Sequence, residues 1–167
     1  MLTADISIFF FINLRMSNRI LDYLMPLATY LGSGETIFFI ALALLAVFIR
    51  DQKKRKAAVL LFAGLTLSYY FVYFLKNLIA RPRPFEAMEG VRLLFRAGGF
   101  SFPSAHAAQA FMAAAVLSRF FRMSVLFFAV ACIVAFSRVY IGVHYPSDVL
   151  AGALLGSAIG YALVRLS

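Results

Sequence analysis

Acidic side chains are scarce in this sequence: seven Asp and Glu stand against sixteen Lys and Arg, and charged residues of both signs make up only 14% of the 167. A soluble domain carries about 25%. Together with 63% hydrophobic residues, that shortage excludes an ordinary water-soluble domain and points to an integral membrane protein. Cysteine is reduced to Cys132, inside an apolar run, so no disulfide can form within the chain. HExxH and paired cysteines are missing, which removes the common zinc arrangements, and there is no Gly-rich nucleotide loop. Long linkers, repeats of solenoid period and low-complexity tracts are absent as well. In front of the first apolar run stands Asp5 rather than a basic segment, and no small-residue cleavage site follows the run, so Met1 is expected to be retained.

The basic excess comes to +9. In a soluble protein it would suggest nucleic acid; here it sits in short loops between apolar runs, where membrane topology and an anionic substrate explain it without any nucleic-acid partner. Residues 6–14 and 20–31 are apolar but fall short of the ~20 residues needed to cross hydrocarbon. They are expected to lie at the interface as short helices, or to form one broken span. After Gly32-Ser33-Gly34, spans are expected over 35–50, 57–78, 103–120, 123–142 and 147–166. The fold class is thus all-α: a bundle of about five transmembrane helices after interfacial helices. It forms one membrane-embedded domain over 1–167, with 1–34 as its interfacial part and 35–167 as its core. The basic run at 50–56 belongs in the cytoplasm by the positive-inside rule. Gly152, Gly156 and Gly160 leave one face of the last span bare, for packing inside the monomer or as a seam between two copies, so the oligomeric state stays open.

Counting spans outward from 50–56 brings three polar islands to the opposite face: 76–84, 103–106 and 137–148. They hold Lys76, Arg83, Arg138 and Asp148 and the chain's two histidines, His106 and His144. Each charge of this kind costs about 2.5 to 3.5 kcal/mol at a helix centre and less near an end, so such residues in a membrane chain usually have a function. Pro103 is expected in the first turn of a helix capped by Ser101 or Phe102, leaving the amides near Ser104 and Ala105 free for an anion. Pro146 repeats the device and puts Asp148 four residues beyond His144, where it can take the Nδ1 proton and turn the Nε2 lone pair outward. Two histidines beside three cations suggest phosphoryl transfer, in which positioning and charge neutralisation dominate.

Lys76-x6-Arg83-Pro84, Pro103-Ser104-Ala105-His106 and Ser137-Arg138-x5-His144-x3-Asp148 together resemble the three motifs of the type 2 phosphatidic acid phosphatases, membrane relatives of vanadium haloperoxidases. Ala105 departs from the usual Gly, and Arg81-Pro82 doubles part of the first motif, although the spacing selects Arg83. The resemblance implies a metal-independent site without cofactor at the outer rim of a helical bundle. His144 would be the nucleophile, Asp148 its orienter and His106 the acid and then base, with Lys76, Arg83, Ser104 and Arg138 on the phosphoryl oxygens. The expected partners are the bilayer and a lipid phosphate: undecaprenyl diphosphate, lipid A 1-phosphate, phosphatidylglycerol phosphate or phosphatidic acid. Arg81, Arg92 and Arg96 are candidate head-group contacts, and Arg92 and Arg96 favour a polyanionic head, a diphosphate or lipid A. The expected location is a bacterial inner membrane, with the site facing the periplasm. The alternatives are a lipid phosphotransferase, and a membrane protein that binds or transports phosphate without chemistry.

Overall fold

The computed structural model describes residues 3–167; Met1, and with it the expectation that the chain keeps that residue, lies outside them. Among the described residues eight α-helices follow one another: α1 (Thr3–Phe10), α2 (Arg19–Tyr30), α3 (Gly34–Val47), α4 (Gln52–Ile79), α5 (Pro84–Ala87), α6 (Ala105–Phe120), α7 (Ser124–Tyr140) and α8 (Pro146–Leu166), with a π-helical turn over Phe11–Arg15 between the first two. No strand is present among the described residues.

Local chemistry sets most boundaries. Asn18, Ser33 and Asp51 cap α2, α3 and α4, each side chain accepting the amide three residues on. The Asp51 cap starts α4 earlier than expected. Lys53, Lys54, Arg55 and Lys56 therefore form its first turns instead of a loop, as the good helix propensity of Lys and Arg allows. Ala80, left-handed at φ 48°, closes α4 by donating its amide to the Lys76 carbonyl (2.8 Å). Two helices, α4 and α8, are long and apolar enough to cross a membrane; α2 and α3, bent by 56°, qualify together as a third. The structure thus joins α2 to α3 across the Gly32–Gly34 corner, where the sequence suggested an interfacial helix separate from the span after it.

α6 lies at the centre, against α4, α7 and α8. Its close approach to α8 is the work of the three glycines. A Cβ on Gly156 would stand 1.9 Å from the Ala108 carbonyl oxygen, and one on Gly152 2.4 Å from that of Ser104. The bare face of α8 is therefore used inside the chain. Ile37, Leu61, Met112, Val116 and Ile159 pack the far end of this core. The near end is polar: the Ser104 amide donates to the Asp148 carbonyl (3.0 Å), locking the starts of α6 and α8 together.

Candidate active site

The end of α4, the starts of α6 and α8 and the loop after α7 meet at one end of the molecule. Past Ala80 the prolines at 82 and 84 keep the chain from resuming α4. Arg81 and Arg83 are left on the connecting segment, and the Ser101 amide donates to the Arg81 carbonyl (2.8 Å). On the other side the turn after α7 passes through Gly142 at a φ of 88°, and a Cβ there would stand 2.6 Å from the Arg92 carbonyl oxygen, so the position suits only glycine. This turn brings His144 back beneath the bundle end, 2% exposed.

The two nitrogens of His144 have different surroundings. Nε2 lies 3.3 Å from Nη1 of Arg83. A guanidinium only donates, so this contact favours the tautomer with the lone pair on Nε2 and the proton on Nδ1. Nδ1 stands 3.4 Å from Ser101 Oγ and 3.5 Å from Asp148 Oδ2. Ser101 Oγ in turn donates to the same Oδ2 at 2.5 Å, and the Tyr145 amide reaches it at 2.9 Å. The expected Asp148–Nδ1 bond is therefore long, and Ser101 completes it as a bridge. Burial, above all, pushes the His144 imidazole down to about 3; Asp148 opposes this, while Arg138 and Arg83 add to it. The ring is thus neutral near neutral pH.

Arg83 is held in place by carbonyls: Nε donates to Gly99, Nη2 to Gly98 and Nη1 to Val143, each at 2.8 Å. Of the five N–H groups of a guanidinium, the three carbonyls and His144 take one each, so most of Arg83 is occupied by the protein itself. Lys76 donates to the carbonyls of Phe100 and Ser101. Arg138 is 2% exposed, donates from Nη1 to Thr29 Oγ1 (2.5 Å), and keeps a buried Nε with no partner. His106 is half-buried on the first turn of α6.

Several expectations are corrected here. α6 begins at Ala105 with Ser104 as its cap, so Pro103 stands ahead of the helix, and the Ser104 amide is already taken by Asp148. Arg81 is not free for a head group: it donates to Asp148 Oδ1 (2.6 Å) and Asp5 Oδ2 (2.7 Å) and lies over the Tyr145 ring at 3.8 Å. Arg92 is tied to both carboxylate oxygens of Asp22. Only Arg96 stays exposed, 6.0 Å from the centre of the Phe85 ring. Ser101, Asp5 and Thr29 are additions that sequence reasoning missed. A signal did exist for one of them, since Asp5 is a charge in an apolar helix. Among the described residues no three His, Cys, Asp or Glu side chains converge as metal ligands would.

The model of the PAP2 superfamily matches residues 57–167. A lipid A 4'-phosphatase of Bacteroides thetaiotaomicron is 37% identical over 97 residues, covering 53% of this chain and 43% of the relative, so the chain spans less than half of that protein's length. An undecaprenyl-diphosphatase of Bacillus subtilis is 32% identical over 158 residues, 90% of this chain and 77% of the relative. The crystal structure of Aquifex aeolicus LpxE superimposes with a TM-score of 0.81 at 31% identity, covering 98% of this chain and 96% of that one.

Proposed function

Taking as premise that this chain belongs to the PAP2 superfamily, we propose that it is a metal-independent lipid phosphatase acting through a phosphohistidine on His144. The observation that carries this reading is the pair of environments around one buried ring: Nε2 is kept unprotonated by Arg83, and Nδ1 is backed by Ser101 and Asp148. In the first step the Nε2 lone pair attacks phosphorus. The bond from phosphorus to the leaving oxygen breaks, and His106, which takes a proton from solvent once the substrate's negative charge offsets the cations around the site, gives that proton to the oxygen. Asp148, through Ser101, stabilises the charge that develops on the ring. In the second step His106 takes a proton from water, the new oxygen bonds to phosphorus, the P–N bond breaks, and inorganic phosphate leaves.

Arg138, with its partnerless Nε, and Lys76 neutralise the phosphoryl oxygens, doing electrostatic work that a metal performs elsewhere. Ser104 caps the start of α6; its own amide is taken by the Asp148 carbonyl, so the amides that follow it are left for the anion. Arg83 holds the nucleophile as much as the phosphate.

A lipid substrate is supported by the surroundings. A cleft of about 570 Å³ opens between α3, α4 and α6, lined among others by Glu35, Phe38, Thr66, Tyr69 and Gln109. Gln109 is three residues from His106 on α6, a rise of only ~4.5 Å, so a chain lying in the bilayer can present its phosphate from the side. Five crossings are assigned in one domain, to α2 joined with α3 and to α4, α6, α7 and α8, in a bacterial inner membrane. Lys54 and Lys76 are 22 positions apart on one helix, or ~33 Å, about the hydrocarbon thickness. With the basic start of α4 in the cytoplasm, the site faces the periplasm. The substrate is a lipid phosphate or diphosphate of the kind named for the relatives. With Arg81 and Arg92 occupied, a monophosphate head group is as well served as a polyanionic one.

The test is release of inorganic phosphate from a panel of purified lipid phosphates by the protein in detergent, in the presence of EDTA. Turnover that EDTA leaves unchanged and vanadate inhibits is expected. Transfer to an added alcohol without free phosphate would make the protein a phosphotransferase, and binding without turnover would end the enzyme reading.

A further inference from the structure

The family match begins at residue 57, yet the first helix contributes a buried carboxylate to the catalytic end. Asp5, 7% exposed, accepts from Arg81 Nη2 (2.7 Å) and, at α8, from the Ser147 amide (2.9 Å) and hydroxyl (2.6 Å). Arg81 spans the gap between two carboxylates: one Nη serves Asp5, the other Asp148 Oδ1 (2.6 Å) and Ser147 Oγ (2.7 Å). Asp148 is fully buried, and its second oxygen is the one facing Ser101 and His144. Phe9, buried on the next turn of α1 and tilted against the Tyr145 ring at 5.9 Å, fixes the helix in this position.

We propose that Asp5 is a positioning residue for the reaction assigned above: by sharing Arg81 with Asp148 it sets the orientation and charge of the carboxylate that backs His144. The physical reason lies in Arg81. Paired with Asp148 alone, a guanidinium would neutralise that carboxylate and offer it a fork of two donors, turning it away from the imidazole. Asp5 draws one end of the fork to itself and balances the second half of the charge, so Oδ2 of Asp148 stays anionic and aimed at Ser101 and Nδ1. α1 is in this sense part of the active site.

The inference rests on the phosphatase reading for its kinetic test but has a second readout that does not. Asp5→Asn keeps the shape and removes the charge. Its kcat on a lipid phosphate should fall about 10- to 100-fold, the range for partners that orient a working histidine from behind, while KM stays within about twofold because no phosphate contact is lost. Two histidines in the chain make the spectroscopic readout simple: selective ¹⁵N labelling gives two imidazoles, and His106→Ala assigns them. The nitrogen signals of His144 should move in Asp5→Asn and those of His106 should not. Removing one charge from a buried cluster can prevent folding. In that event Asp5→Glu carries the test, since a carboxylate displaced by one methylene shifts the Arg81 fork and must also move the His144 signals. Folded variants with wild-type kcat and unmoved His144 signals would overturn the proposal. A wild type that releases no phosphate from any lipid would overturn the phosphatase reading instead, leaving the imidazole signals to decide the coupling.

Discussion

The two sides of the His144 ring differ in how completely they are satisfied. Behind it, Ser101, Asp148, Arg81, Ser147 and Asp5 form a closed set in which each group meets another at 2.5 to 2.7 Å. On the side assigned to the phosphate, Arg83 is held by three carbonyls, but Arg138 has a buried Nε without a partner and His106 is half-buried. A buried donor left unmatched carries a desolvation penalty of about 1 to 3 kcal/mol, which a phosphoryl oxygen would relieve. The difference teaches that the back is built to hold a tautomer and the front to receive an anion. Damage to the two sides should therefore look different.

The largest effect is expected at the ring that joins the sides. His144→Ala should lower turnover by at least about 10⁴-fold, as loss of a nucleophile does, while phosphate affinity, measured by calorimetry, stays close to that of the wild type. His106→Ala attacks the front and should cost about 10² to 10⁴ on a monophosphate ester. It should cost less in the first step on a diphosphate lipid, whose leaving group needs little protonation; single-turnover rates on both substrates read the contrast. Arg138→Ala should lower kcat by about 10² to 10³, the usual loss when one donor to a developing charge is removed. Arg138→Lys should recover little of it, because a point charge does not replace a planar fork.

The pH profile sharpens the same contrast. A histidine ordinarily titrates near ~6.5, but burial holds the His144 ring down to about 3. A lowered value means that the neutral, attacking form persists as the pH falls through the ordinary histidine range and is lost only well below it. The acidic limb of kcat/KM, which reports the free enzyme, should therefore fall no more than about twofold between about pH 7 and pH 5.5 on account of His144; a full loss with a midpoint near ~6.5 would mean an exposed ring. The smallest effect is expected at Arg96, an exposed side chain 6.0 Å from the centre of the Phe85 ring: Arg96→Ala should change kcat/KM by less than about twofold.

How far the sequence could foretell all this follows the same division. The motif residues are rare charges in apolar surroundings, so Lys76, Arg83, Arg138, His144 and Asp148 stood out by type and spacing; each of the five expected segments holds a helix, α3, α4, α6, α7 or α8, but only α4, α8 and the joined α2 and α3 are long and apolar enough to cross a membrane. The back of the site was less legible. Ser101 is a small polar residue of a kind common in loops, and although the motif spacing selected Arg83, the reach of Arg81 to Asp148 depended on how the chain leaves Ala80. Asp5 and Asp148 stand near opposite ends of the sequence, and only tertiary packing brings them to one guanidinium. The bent pairing of α2 with α3 was hidden as well, because its halves are separately too short and a corner at Gly32–Gly34 reads equally well as a boundary. Arg92 looked available because its partner, Asp22, lies 70 positions away.

The central claim is that His144 carries the phosphoryl group. Rapid quenching of the enzyme with a ³²P-labelled diphosphate lipid tests it most directly. The wild type should show a transient label on protein that resists alkali and is lost in acid, as a phosphohistidine is; His106→Ala should accumulate that label because water is no longer activated, and His144→Ala should show none. A phosphate release burst in the wild type with no labelled protein at any time, or a label that survives in His144→Ala, would contradict the account.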